Sequence, residues 1–156
     1  MALTHQGGSF EICTTPQTSV ADAAAFQALT YVTVPGVVTA PSFRVVQNTL
    51  QENTLDSDIA NIQGGFRQGE TTDVVFSFAE ESQAGIAAME AAARSGNLFA
   101  VKYELNNSLG TNGTTYYALA FIGGGGGPTG GGGEDFAQRQ YSITPSSQQP
   151  IEVAAA

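Results

Sequence analysis

Residues 71–105 read "TTDVVFSFAEESQAGIAAMEAAARSGNLFAVKYEL", and the fold turns on this stretch. Its opening alternates: Val74, Phe76 and Phe78 point one way, Asp73 and Ser77 the other, which is the period of a half-buried strand. From Ser82 the period becomes helical. Ile86, Met89 and Ala93 fall at i, i+3 and i+7 and make one narrow apolar stripe. Ser82 is placed to cap the helix, Glu80 and Glu81 suit its positive end, Arg94 suits its last turn, and Gly96 ends it. The stripe is mostly alanine, so the helix Ser82–Arg94 is expected to lie close on a sheet, packing through Ile86 and Met89. Alternation returns at Leu98, with Phe99, Val101, Tyr103 and Leu105 on one face and Lys102 and Glu104 on the other.

The flanks extend this pattern with more strands. Upstream, "AFQALTYVTV" (25–34) reads as a strand closed by the Pro35–Gly36 turn, and "SFRVVQNTL" (42–50) as a second, short one. Residues 1–24 are polar and small, with one strand-like patch at "SFEICTT", and read as a flexible segment. Downstream, "NNSLGTNG" is turn chemistry, "TTYYALAFI" and "FAQRQYSI" are strands, and "IEV" is a short last one. The short turns predict a mainly β (α+β) chain: an antiparallel sandwich or barrel with one short helix packed on the sheet.

Two segments break the regularity. Gln51–Gly69, "QENTLDSDIANIQGGFRQG", holds no sustained period of either kind, and a structureless loop of that length in a small domain is usually functional. Its Glu52, Asp56, Asp58, Phe66 and Arg67 are candidate contact residues. The second is the run of nine glycines between Gly123 and Gly133, interrupted only by Pro128 and Thr129. As a linker it would leave too short a tail for a second domain. As a phosphate loop it lacks both the GK[ST] sequence and a following helix. It therefore reads as a hairpin tip over 123–133.

Composition narrows the function. The 156 residues fit one domain, and 42% hydrophobic content is ordinary for a globular chain. Fourteen acidic against five basic residues give a net charge of −9, which repels nucleic-acid phosphates, and the five cations are scattered. The N-terminus lacks a signal-peptide pattern and no apolar run approaches a membrane span, so a soluble chain made in the cytoplasm is expected. Cys13 is the lone cysteine and reads as a small buried hydrophobe. His5 is the lone histidine and reads as a solvated terminal side chain. Asp56 and Asp58 could be two ligands of a calcium site, but the glycine and distal glutamate of an EF-hand loop are missing. No nucleophile is grouped with a base, so no enzyme, cofactor or metal site is expected.

The order of elements resembles one known family. A strand ending "VPGVV", a short strand, a long acidic loop, "TTDVVFSF", the helix, "LFAVKYEL", a strand ending "ALAFIGG" and "AQRQYSITPS" together resemble the major tail tube protein of long-tailed, non-contractile (lambda-like) bacteriophages, over about Ala25 to Val153. The resemblance implies a structural virion protein of the viral tail, with six subunits closing into a hexameric ring whose sheets form one β-barrel. Rings would stack into the channel for genome ejection. It also implies self-assembly in the host cytoplasm, partners such as the tape measure, tail terminator and distal tail proteins, and DNA passing without specific binding. Gln51–Gly69 then corresponds to a loop that orders during assembly, and Asp73 and Glu104 are candidate lumen-facing carboxylates. No C-terminal immunoglobulin-like domain is expected. A head–tail joining or capsid-decorating protein shares the same acidic, catalytically empty profile. A carbohydrate-binding sandwich is disfavoured by the absence of tryptophan.

Overall fold

A computed structural model of the chain describes residues 4–56, 58–80, 82–125, 127–146, 148 and 150–156. The elements are β1 (Ser9–Cys13), α1 (Ala23–Gln27), β2 (Tyr31–Val34), β3 (Val37–Thr39), β4 (Val45–Glu52), β5 (Asn61–Gly69), β6 (Thr72–Ser77), α2 (Ala84–Ser95), β7 (Leu98–Glu104), β8 (Thr115–Gly124), β9 (Gln138–Pro145) and β10 (Ile151–Val153). The main sheet runs β2-β1-β7-β8-β9-β6-β3, with β10 also paired to β8. Its pairings are antiparallel throughout. The two ends of that path, β2 and β3, are joined only by Pro35–Gly36, so the sheet rolls over until its ends share a corner. This is the expected antiparallel sandwich or barrel with a helix packed on it.

Alternation decides which face each strand buries. From β1, β6, β7, β8 and β9, Phe10, Ile12, Val74, Phe76, Phe99, Val101, Tyr103, Ala118, Ala120, Tyr141 and Ile143 converge on one core with Ile86 and Met89 of α2. Ile86 and Met89 are both fully buried. The helix can come this close because residue 85 is glycine: a Cβ there would strike the carbonyl of Thr33 and lie 2.7 Å from Cα of Val34. Gly96, at φ 69°, ends the helix. The opposite face of β7 and β8 carries a second cluster, in which Ala100, Tyr117 and Leu119 pack with Cys13, Val20 and Phe26. The two central strands are therefore apolar on both faces.

One charged network lies inside. Glu90 of α2 and Arg139 of β9 are both buried. Arg139 Nη1 donates to Glu90 Oε1 at 3.0 Å and its Nε to the carbonyl of Ala79 at 2.8 Å, while the Tyr141 hydroxyl donates to Glu90 Oε1 at 2.7 Å. Arg94 Nη2 stands 3.5 Å from Glu90 Oε2. These bonds tie the helix to β9 across the core and offset the desolvation of both charges.

Several expectations are corrected. Residues 25–34 are not one strand: α1 occupies Ala23–Gln27, so a second helix is present. The Asp22 side chain accepts from Ala25 N at 2.9 Å to start it, and burial of Phe26 holds it. The N-terminal segment is not uniformly flexible, because β1 sits inside the main sheet between β2 and β7. Gln83, not Ser82, is the helix N-cap, and it makes no side-chain cap bond; Glu81 lies outside the described residues. Phe78 does not follow Val74 and Phe76 inward. The strand ends at Ser77, and the Phe78 ring lies 4.9 Å from the Arg139 guanidinium with its side chain exposed. Gln51–Gly69 is not one structureless loop: Gln51 and Glu52 end β4 and Asn61–Gly69 form β5 of one hairpin, with Ser57 outside the described residues. Of the glycine run, Gly123 and Gly124 end β8, and an isolated bridge between Thr129 and Gln138 narrows the connection to β9. Gly126 lies outside the described residues.

Candidate assembly interface

The hairpin β4–β5 pairs only with itself, apart from the main sheet. Its root is fixed. Glu70 N donates to Arg44 O at 2.9 Å, the Thr72 hydroxyl to Ser42 O at 3.0 Å, and the Thr71 and Thr144 hydroxyls meet at 2.7 Å. Gly69 passes so close to β9 that a Cβ would strike the Pro145 carbonyl. Beyond the root the strands leave the body. With eight residues at about 3.3 Å each, β4 extends roughly 26 Å. The register slips between Gln47 and Thr49, where Gly65 and Phe66 bulge opposite Asn48, and a bulge of this kind twists the strand and re-aims its side chains.

The arm is apolar where it should be wet. Among the described residues, eleven large apolar side chains are exposed, and six of them are Val46, Leu50, Leu55, Ile59, Ile62 and Phe66. Phe66 is 89% exposed. A two-stranded ribbon with both faces and both edges open is marginal in water. Large apolar side chains concentrated and exposed on such an element mark a contact surface.

A cleft of about 260 Å³ opens beside the arm's root, walled by Pro41, Phe43, Tyr103, Leu105 and Tyr116 with His5 and Ser42 at its edge. The loop leading into β4 contributes Pro41–Phe43, and the core face of β7 contributes Tyr103. His5 Nδ1 lies 3.1 Å from the Tyr103 hydroxyl, which orients the phenol. Burial raises the Tyr103 pKa, and burial followed by the nearby Glu152 raises that of Tyr116. Both walls are therefore neutral phenols at physiological pH.

The sequence-derived candidates fall in three places. Glu52, Asp56, Asp58, Phe66 and Arg67 are all exposed along the arm. Asp73 is exposed on β6, facing away from Val74 and Phe76. Glu104 is half-buried and accepts from Gly113 N at 3.0 Å, bracing the turn between β7 and β8. That bond gives Glu104 a structural role, and Asp73 makes no comparable bond among the described residues. Ile86 and Met89 lie in the core, remote from the arm. Sequence reading missed Val46, Leu50, Leu55, Ile59 and Ile62 as contact residues, and the cleft entirely. The available signal was five large apolar residues without periodicity in a Gln- and Asn-rich segment.

Among the described residues no group of three or more His, Cys, Asp or Glu could hold a metal, and no helix is long and apolar enough to cross a membrane. Cys13 is buried, its thiol donating to Thr15 O at 3.4 Å.

No protein-family model matches the sequence, and no curated protein matches it. Solved structures do match. A chain of the cryo-EM structure of the sheath/tube terminator of PVC, an extracellular contractile injection system in its extended state, superposes with a TM-score of 0.66 at 10% identity, covering 99% of this chain and 98% of that one. A chain of the anti-feeding prophage (AFP) baseplate superposes with a TM-score of 0.59 at 10% identity, over 99% and 96%. The chain thus has, along nearly its whole length, a fold found in parts of phage-tail-like contractile injection systems.

Proposed function

We propose that this chain is a structural subunit of a phage-tail-like tube, closing into rings with copies of itself through the β4–β5 arm. The observation that carries this reading is the arm: six large apolar side chains exposed on a ribbon that has no second layer of its own. Burying each one against a neighbour contributes about 1.5–3 kcal/mol, enough in sum to order a marginal hairpin. The fold likeness along the whole chain supports a tail-type assembly. Both similar structures come from contractile systems, so the likeness does not favour the non-contractile, lambda-like type. Hexameric rings, a lumen lined in part by Asp73, and passage of an anionic genome along that acidic wall complete the proposal. Neighbouring tail components, such as a tape measure, terminator and distal tail protein, would meet the ring ends.

A second reading has its own support. The structure superposing at 0.66 is a sheath/tube terminator, and a chain in that role would form one capping ring rather than a stack.

Purified protein at rising concentration, followed by sedimentation and negative-stain microscopy, separates these outcomes. Long stacked tubes favour the tube subunit and single rings the terminator; a persistent monomer sinks both. Replacing residues 46–68 by an Asn–Gly turn should leave a folded monomer, since Val45 and Gly69 already face each other. Rings formed without the arm would remove it from the assembly contact. Arm amides should exchange fast in monomers and slowly in rings.

A further inference from the structure

We infer that the arm tip of one copy inserts Leu55 into the cleft at the root of the next copy's arm. This rests on the ring-forming reading and names the contact through which it works. Leu55 is fully exposed in the turn beyond β4. The arm holds it roughly 26 Å from the cleft of its own chain, so a copy cannot fill its own cleft. The cleft suits it in size: an apolar cavity of about 150 Å³ accepts a benzene ring, and this one measures about 260 Å³. Its walls of Pro41, Phe43, Leu105 and Tyr103 are apolar and partly preformed, since Phe43 and Leu105 already pack on the core.

Charge selects the same pairing. Glu52, Asp56 and Asp58 surround the tip, on a chain of net charge −9 whose surfaces mostly repel such a group. Of the chain's five Lys and Arg residues, Arg44 follows the cleft residue Phe43 directly in sequence, at the root of the arm. The Arg44 guanidinium meets Glu70 in an exposed pair at 3.4 Å, the kind of bond that is easily shared with a second carboxylate. Tip and cleft are different surfaces, so the contact is heterologous. It passes from copy to copy and closes into a ring when the rotation permits.

The test uses two full-length variants. Leu55→Asp disables the tip, and Ser42→Trp fills the cleft. Both positions are exposed, and the Thr72 hydroxyl engages the carbonyl of Ser42, which the substitution keeps. Each variant alone should sediment as a 16.1 kDa monomer under conditions where the unaltered chain assembles. An equimolar mixture should double the mass and stop there, because one intact tip meets one intact cleft. A mixture that stays monomeric while the unaltered chain assembles overturns the insertion and leaves the ring reading standing, as does either variant assembling alone. An unaltered chain that never assembles overturns both.

Discussion

The helix α2 with the sheet beneath it and the arm β4–β5 behave as opposites. Around α2 the large apolar side chains have a second layer: Ile86 and Met89 are fully buried, and even the charges of Glu90 and Arg139 are enclosed and paired. On the arm the apolar residues are as large, yet all six are exposed. Burial within one chain fixes a fold. Apolar surface left over, on an element that cannot stand alone, calls for a partner.

The largest expected effect tests the buried half of this contrast. Met89→Asp places an unpaired carboxylate in the core and should cost ~4 kcal/mol or more, enough to unfold much of the population. Thermal unfolding of that variant measures it; a melting temperature near that of the unaltered protein would show that the stripe does not pack.

Glu90→Ala comes next. It leaves the Arg139 guanidinium buried without the carboxylate and should cost about 3–5 kcal/mol in urea unfolding. Restoring most of that loss by adding Arg139→Met would sharpen the account, because the penalty lies in a buried guanidinium that has lost its bond to Glu90.

A smaller effect should appear at alkaline pH. The Tyr141 phenol is held protonated above its ordinary range, first by burial and then by its bond to Glu90; burial, then Tyr117, does the same for Tyr31. The raised folded-state pKa means this contribution is complete below about pH 10, the unfolded value, and is lost as pH climbs towards the folded value. Unfolding midpoints measured from about pH 9 to 12 should fall, and Tyr141→Phe should flatten that decline.

The smallest expected effect on stability belongs to the arm. Phe66→Ser should change the unfolding free energy by less than about 0.5 kcal/mol, while shifting assembly to higher concentration. A large stability loss would mean that Phe66 packs on its own chain, and the contrast between the regions would fail.

Legibility followed the same division. Strands β6 to β9 were readable because each has one face or both against a core, so Val74, Phe76, Phe99 and Val101 alternate or run together as burial requires. The helix α1 was missed because five residues reading AAAFQ carry too short a period to separate from a strand; the Asp22 cap was its one local sign. Of the arm, β4 was read in part from residues 42–50, but β5 was not readable as strand, because neither of its faces is buried and nothing in its sequence had to alternate. The acidic tip and lone Phe66 were visible, but not that they stand on a projecting ribbon.

By itself the sequence determined the antiparallel β class, the helix after β6 and the net negative charge. These follow from local period and from composition, which any window of the chain carries. Tertiary structure alone decided that β2 and β3 meet at one corner, that Glu90 finds Arg139 and Tyr141 across 49 and 51 residues, and that a cleft forms where residues 5, 41–43, 103, 105 and 116 converge. Contacts between residues so far apart depend on how the sheet rolls, and the rolling is set by the packing of the whole core rather than by any one segment.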